Sequence, residues 1–236
     1  MTTVWFLSLL LGAYLLGALP VHYWAARLCR GIDLRKYGTG QVGTGNLWRM
    51  TKSWKIGLAV GAFDLAKGMV PLLVARAIGL STGQQVAVGL LAVAGHNWSV
   101  FLGFSGGRGI ATAVGLIIVI PLVNGLPPWA LVAFLAVLVS GTLVLRSTPL
   151  PVLVSLVAVV LVSWLFYQPL SIALAFLAML LIVVAKRLMA QRSAEGDAVS
   201  RKQVLLNRLL FDRDIADRKG WMYRKPWQEK PGEGGE

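Results

Sequence analysis

The first 185 residues of this 236-residue chain hold only two acidic side chains, Asp33 and Asp64. Charged residues of either sign make up 14% of the whole against 56% hydrophobic, and mean hydropathy is +0.69. So little charge excludes an ordinary water-soluble domain, and the chain reads as a membrane protein. A single cysteine, Cys29, excludes an intramolecular disulfide and any thiolate metal cluster. No GxxxxGK(S/T) run occurs, so a nucleotide-binding P-loop is not expected. A basic n-region is missing ahead of the first apolar run, MTTVWFLSLLLGAYLLGALP, which therefore reads as a retained span and not a cleaved signal.

What charge there is lies unevenly. The formal net charge of +13 would point to nucleic acid in a soluble domain. Yet twelve of the 23 Lys and Arg residues, and eight of the ten acids, fall from Lys186 onward. That is where the cytoplasmic end of a membrane protein carries its charge, so no nucleic-acid partner is expected.

A helical crossing takes about 20 residues. Apolar runs at 4–26, 56–79, 84–103, 110–124, 128–146, 149–166 and 169–186 predict an all-α polytopic membrane protein with seven transmembrane helices. NGLPP at 124–128, STPLP at 147–151 and YQP at 167–169 mark tight turns between them. The fourth run is the weakest as a full crossing and reads as tilted or partly re-entrant. Basic residues cluster in the 27–55 connection, at Arg108, at Arg146 and in the tail, while the turns near 80–83, 124–128 and 167–168 have none. An N-terminus outside and a C-terminus in the cytoplasm puts these basic connections on one side. The expected organisation is a membrane domain over 1–190, with cytoplasmic loops at 27–55 and 104–109, and a cytoplasmic tail over 191–236. Within the tail, 200–215 suits an amphipathic helix, either on the membrane surface or docked on the ends of the spans, and QEKPGEGGE reads as disordered.

Three polar segments interrupt the apolar background. In FDLAKG, Asp64 and Lys67 stand three apart on one helix face and are placed to neutralise each other. In GHNWSVFLGFSGGRGIAT, the glycines around Arg108 allow a tight turn that offers backbone N–H groups and a guanidinium to an anion. In YGTGQVGTGNLWR, residues 37–49, a glycine-rich bend carries Thr39, Gln41, Thr44 and Asn46, with the phosphate-matching fork of Arg49. Two such loops on one side point to a phosphate-bearing substrate; a small transporter of an anionic metabolite is a further reading.

GALP followed by GIDLRKYGTGQVGTGNLWR, then FDLAKG, then GHNWSVFLGFSGGRGIAT resembles, in order and spacing, the bacterial membrane acyl-phosphate:glycerol-3-phosphate acyltransferases. Their motifs read approximately G-S-I-P, G-x-D-x-R-x-x-G-S-G-N-x-G-A-T-N-x-x-R, F-D-x-x-K-G and G-H-x-x-P-x-F-x-x-F-x-G-G-K-G-V-A-T. The resemblance covers roughly the first half of the chain. It implies a seven-span inner-membrane enzyme that moves a fatty acyl group from acyl phosphate to the 1-hydroxyl of glycerol 3-phosphate, among membrane lipids and without metal or cofactor. It places Thr39, Arg49, Arg108 and His96 at the reacting centre. Gly38, Gly40, Gly43, Asn46, Lys67, Gly106, Gly107, Gly109 and Lys186 fall to phosphate binding, with Asp33, Arg35, Gln41, Asp64 and Thr112 in support. The chain departs from the pattern with Thr39 for serine, Gln41 for asparagine, Thr44 and Gly45 for alanine and threonine, Ser99 for proline and Arg108 for lysine. After the last span, Lys186 and Met189 fall where the family carries a histidine and an asparagine. A relative that binds acyl phosphate or lysophospholipid without turnover is the alternative these departures suggest.

Overall fold

A computed structural model describes residues 2–167, 170–190 and 193–222. The described residues form twelve α-helices and no strand. The helices are α1 (Thr2–Ala18), α2 (Val21–Arg30), α3 (Thr44–Thr51), α4 (Trp54–Ala77), α5 (Thr82–Asn97), α6 (Ile110–Val123), α7 (Trp129–Leu145), α8 (Pro149–Phe166), α9 (Leu170–Leu188), α10 (Ala194–Asp197), α11 (Arg201–Phe211) and α12 (Arg218–Met222). Helical segments at 3–30, 54–77, 149–166 and 170–188 are long and apolar enough to cross a membrane, and α6 and α7 are shorter apolar helices. Large aliphatic side chains stand out from their faces, among them Leu143, Val144, Leu161 and Leu165. On a soluble protein such a belt would be an association site; on these helices it suits lipid.

One expected span is interrupted and another is shortened. The run 4–26 is not one helix: it breaks between α1 and α2 at Leu19 and Pro20, because proline has no N–H to continue the ladder. The break frees carbonyls that other segments use, with Ser99 Oγ donating to Ala18 O at 2.5 Å and Lys67 Nζ to Leu19 O at 2.6 Å. The run 84–103 stops being helical at Asn97, and the chain then turns through left-handed Gly103 and Phe104. The end QEKPGEGGE lies outside the described residues.

Side-chain caps fix other boundaries. Ser53 accepts from Ile56 N at the start of α4, and Ser81 with Gln84 forms a capping box at the start of α5. The short α6 is the most enclosed helix, with Ala113, Leu116, Ile117, Val119 and Ile120 all buried at its packing faces. Small residues allow this closeness. A Cβ on Gly68 would strike Thr112 O, and one on Gly115 would strike Leu65 O, so α4 and α6 meet backbone to backbone.

In the tail, α11 docks against α8 and α9. Arg208 anchors it, donating from Nη1 to Leu188 O at 2.8 Å and from Nε to Asp214 Oδ1 at 2.6 Å. Ser193 N donates to Asp214 Oδ2 at 2.7 Å, and Asn207 Nδ2 to Asp214 O at 2.9 Å. Burial opposes ionisation of Asp214, but the Arg208 and Ser193 hydrogen bonds outweigh it and hold its pKa below the usual carboxylate value.

Candidate active site

Where α4 passes the α1–α2 break, four ionisable side chains form a buried knot. Asp64 Oδ1 lies 3.1 Å from Lys67 Nζ and 3.5 Å from His96 Nδ1, and Oδ2 lies 3.3 Å from His22 Nε2. The Asp64–Lys67 pairing is the one the three-residue spacing predicts. His22, which the sequence reading did not single out, also sits 3.0 Å from Thr44 Oγ1 and so ties the knot to the glycine-rich loop. Its signal was its place two residues after Pro20, beside the helix break.

Asp64 and His96 reach the wall of a cavity of about 550 Å³. One side is built by the 37–49 loop: Thr39, Gln41, Gly43, Asn46 and Arg49 line it. Asn46 organises this loop. Its Nδ2 donates to Leu34 O, Tyr37 O and Gln41 O, while its Oδ1 accepts from Thr39 N at 3.1 Å. Gly38 has φ 58° and packs against the Asn46 amide, where a Cβ would collide. Arg49, by contrast, has no hydrogen-bond or ion-pair partner among the described residues, so its guanidinium remains available to the cavity.

Arg108 and Gly109 line the same cavity. Arg108 Nη1 donates to Lys186 O at 2.9 Å. Gly107 and Gly106 turn inward, Gly107 N donating to His96 O at 3.2 Å. A Cβ on Gly107 would meet His96 Nε2 and Val42 O, so glycine is needed for this approach. His96 thus clasps the Gly-rich turn with its backbone while its ring faces Asp64.

Several expected site residues lie off this wall. Lys67 is turned to Asp64 and Leu19 O. Lys186 has its Nζ over the Trp98 ring, 5.5 Å from the centroid, and Met189 is 69% exposed. The cation of α9 that lines the cavity is the next residue, Arg187, fixed by Leu209 O and Pro149 O. Gly38 and Gly40 support the loop from behind, and Thr112 is buried in α6, its Oγ1 without a hydrogen-bond partner among the described residues. Asp33 and Arg35 pair at 2.7 Å away from the wall, and the Arg35 hydrogen bonds hold the Asp33 carboxyl below its usual range. The tail supplies lining that the sequence reading missed: Phe211, Asp212, Arg213, Arg218, Trp221 and Met222.

The family described as "Glycerol-3-phosphate acyltransferase" matches residues 7–196. The chain belongs to this family. Relatives agree. "Glycerol-3-phosphate acyltransferase 4" of Dehalococcoides mccartyi (strain CBDB1) is 38% identical over 235 residues, covering 97% of this chain and 98% of the relative. "Glycerol-3-phosphate acyltransferase" of Thermus thermophilus is 39% identical over 194 residues, covering 82% and 92%. Two crystal structures of PlsY, an integral membrane glycerol 3-phosphate acyltransferase, share the fold. Its glycerol 3-phosphate form superposes with TM-score 0.66 at 27% identity, over 77% of this chain and 88% of that one. Its lysophosphatidic acid form gives 0.67 at 26%, over 86% and 93%. With these relatives and its apolar helices, the chain is a multi-pass membrane protein.

Proposed function

We propose that the chain transfers a fatty acyl group from acyl phosphate to the 1-hydroxyl of glycerol 3-phosphate, releasing phosphate and lysophosphatidate. The observation that carries this reading is that Arg49 and Arg108, from two Gly-rich segments far apart in sequence, line one cavity. The acceptor carries a phosphate, and two guanidinium groups lining one cavity suit its recognition. Arg49 and Arg108 hold the acceptor phosphate; Thr39 and the turn at Gly109 orient the donor.

Acyl phosphate is a mixed carboxylic–phosphoric anhydride and so is already activated. The acceptor hydroxyl attacks the acyl carbon, the bond from that carbon to the phosphate oxygen breaks, and the leaving phosphate takes the hydroxyl proton. Positioning and charge stabilisation therefore suffice without a protein nucleophile. His96 orders the Gly-rich turn and takes no proton. The setting is a seven-span protein of the bacterial inner membrane, N-terminus outside and C-terminus cytoplasmic, with α1 and α2 as one interrupted span and α5, α6 and α7 short ones packed among the longer helices. The basic connections favour that orientation.

The test measures inorganic phosphate released from palmitoyl phosphate by purified protein, with and without glycerol 3-phosphate. Acceptor-dependent release is expected, and Arg49→Ala and Arg108→Ala each lower it by about 10²–10³-fold. Full activity in both variants overturns the site assignment.

A further inference from the structure

The family match ends at residue 196, but the cavity wall continues into α11, α12 and the turn between them. The turn begins at Asp212, which closes α11 in the left-handed conformation, φ 56°, its N–H bonded to Arg208 O. Aspartate is among the few non-glycine residues that tolerate that conformation. The turn aims the carboxylate at both phosphate loops. Asp212 Oδ1 lies 2.7 Å from Arg108 Nε, and Oδ2 accepts from Gln41 Nε2 at 3.0 Å. Arg108 thus has the Asp212 carboxylate against its Nε edge as a close ion contact, not a hydrogen bond, and Lys186 O on Nη1, leaving Nε and Nη2 without a hydrogen-bond partner among the described residues.

The two residues that Asp212 touches are departures from the quoted motifs, Gln41 standing for an asparagine and Arg108 for a lysine. A lysine is a point charge that binds phosphate from many directions, whereas an arginine presents a planar fork whose orientation decides which donors face the ligand. Glutamine is one methylene longer than asparagine and bridges the loop to the tail.

Resting on the acyltransferase reading above, the geometry points to Asp212 as a positioning residue: it sets the Arg108 guanidinium and the Gln41 amide on the cavity wall so that the acceptor phosphate meets preset donors. A carboxylate beside a guanidinium also weakens its pull on an anion. Two features make orientation the larger effect. Arg213 and Arg218 line the cavity beside Asp212 and restore the positive balance. The anchor below the turn is buried, with Asp214 and Asn207 each 2% exposed and Arg208 6%, so the tail is built in and not a strap poised to leave.

The experiment measures kcat and KM for glycerol 3-phosphate, with palmitoyl phosphate saturating, in the full chain and in Asp212→Ala, Gln41→Ala, their combination, and Arg108→Lys with and without Asp212→Ala. Asp212→Ala raises KM by roughly tenfold with little change in kcat, and Gln41→Ala raises it less. The double variant is no worse than Asp212→Ala alone, since both act through one network. In the Arg108→Lys background the Asp212→Ala effect shrinks to within about twofold, because no planar group remains to be oriented. An unchanged KM in Asp212→Ala, a higher turnover than the unaltered chain, or an undiminished effect in the Arg108→Lys background overturns the assignment. If Asp212→Ala does not survive purification, Gln41→Ala decides: its KM rises, or the assignment fails. Absence of acceptor-dependent turnover in the unaltered chain removes the function reading and this proposal together, whereas normal turnover with unchanged KM in the variants removes this one alone.

Discussion

Asp64 and Asp212 both line the cavity, and they are held in opposite ways. Asp64 is 2% exposed in the helix interior and faces Lys67, His22 and His96. Its partner Lys67 lies one helical turn away, so the pair forms as α4 forms. Asp212 sits on the tail and holds Arg108, more than a hundred residues earlier in the chain. Taking Asp64 out of water is costly, and the neighbouring cation offsets that cost. Asp212 is in place only because α11 docks. The first carboxylate is therefore a condition of the fold, the second a product of it.

That contrast is broken most directly at Lys67. Lys67→Met leaves Asp64 buried without its cation and destabilises by about 3–5 kcal/mol, while Asp64→Leu combined with Lys67→Met recovers most of that loss. Unfolding in detergent checks both, and equal instability of the single and double variants contradicts the offset. At the tail, Asp214→Ala removes a buried charge-assisted hydrogen bond from Arg208 and costs about 1.5–3 kcal/mol, read as faster proteolysis beyond α9 with the membrane helices intact. The pH dependence has a definite sign. The Asp214 pKa is lowered in the folded chain, so its contribution is complete above the ordinary value of 3.8 and is lost as pH falls through the lower folded value. The tail clamp therefore holds at neutral pH and loosens below the ordinary carboxylate range; equal protease protection at both ends of that range contradicts it.

A smaller effect sharpens the comparison at the turn between the two carboxylates. Gly107→Ala drives a Cβ against His96 Nε2 and Val42 O and costs about 1–3 kcal/mol, with acyl transfer falling alongside. Asp33→Ala changes stability least, by at most about 1 kcal/mol, because its Arg35 partner is 39% exposed. A thermal melt in which Asp33→Ala is the more damaging of the two reverses this order.

The local features were readable in the chain because they repeat a local geometry. The three-residue spacing of Asp64 and Lys67 predicts their contact, and the Gly-rich bend around Thr39 and Asn46 predicts a loop that folds on itself. Errors arose where a neighbour decides. Hydropathy gives a first span over 4–26 but not its interruption, and the break at Pro20 is held by Ser99 and Lys67 from other segments. At the end of α9, Lys186 and Arg187 are adjacent and differ by about 100° around the helix axis. Their order in the sequence gives no reason why Arg187 faces the cavity and Lys186 lies over Trp98.

The sequence by itself determined that this is a helical membrane protein, that it has two anion-suited glycine-rich segments, and which family pattern they follow. Those properties reside in composition and short spacings, where hydrophobicity, glycine's freedom and helix periodicity act within a few residues. Only the tertiary structure decided that Arg49 and Arg108 line one cavity, that His22 joins Asp64, and that a tail beyond the family match brings Asp212 to Arg108 and Gln41. Each of those contacts depends on how helices pack, and burial of a charge is tolerated only where that packing also delivers its partner.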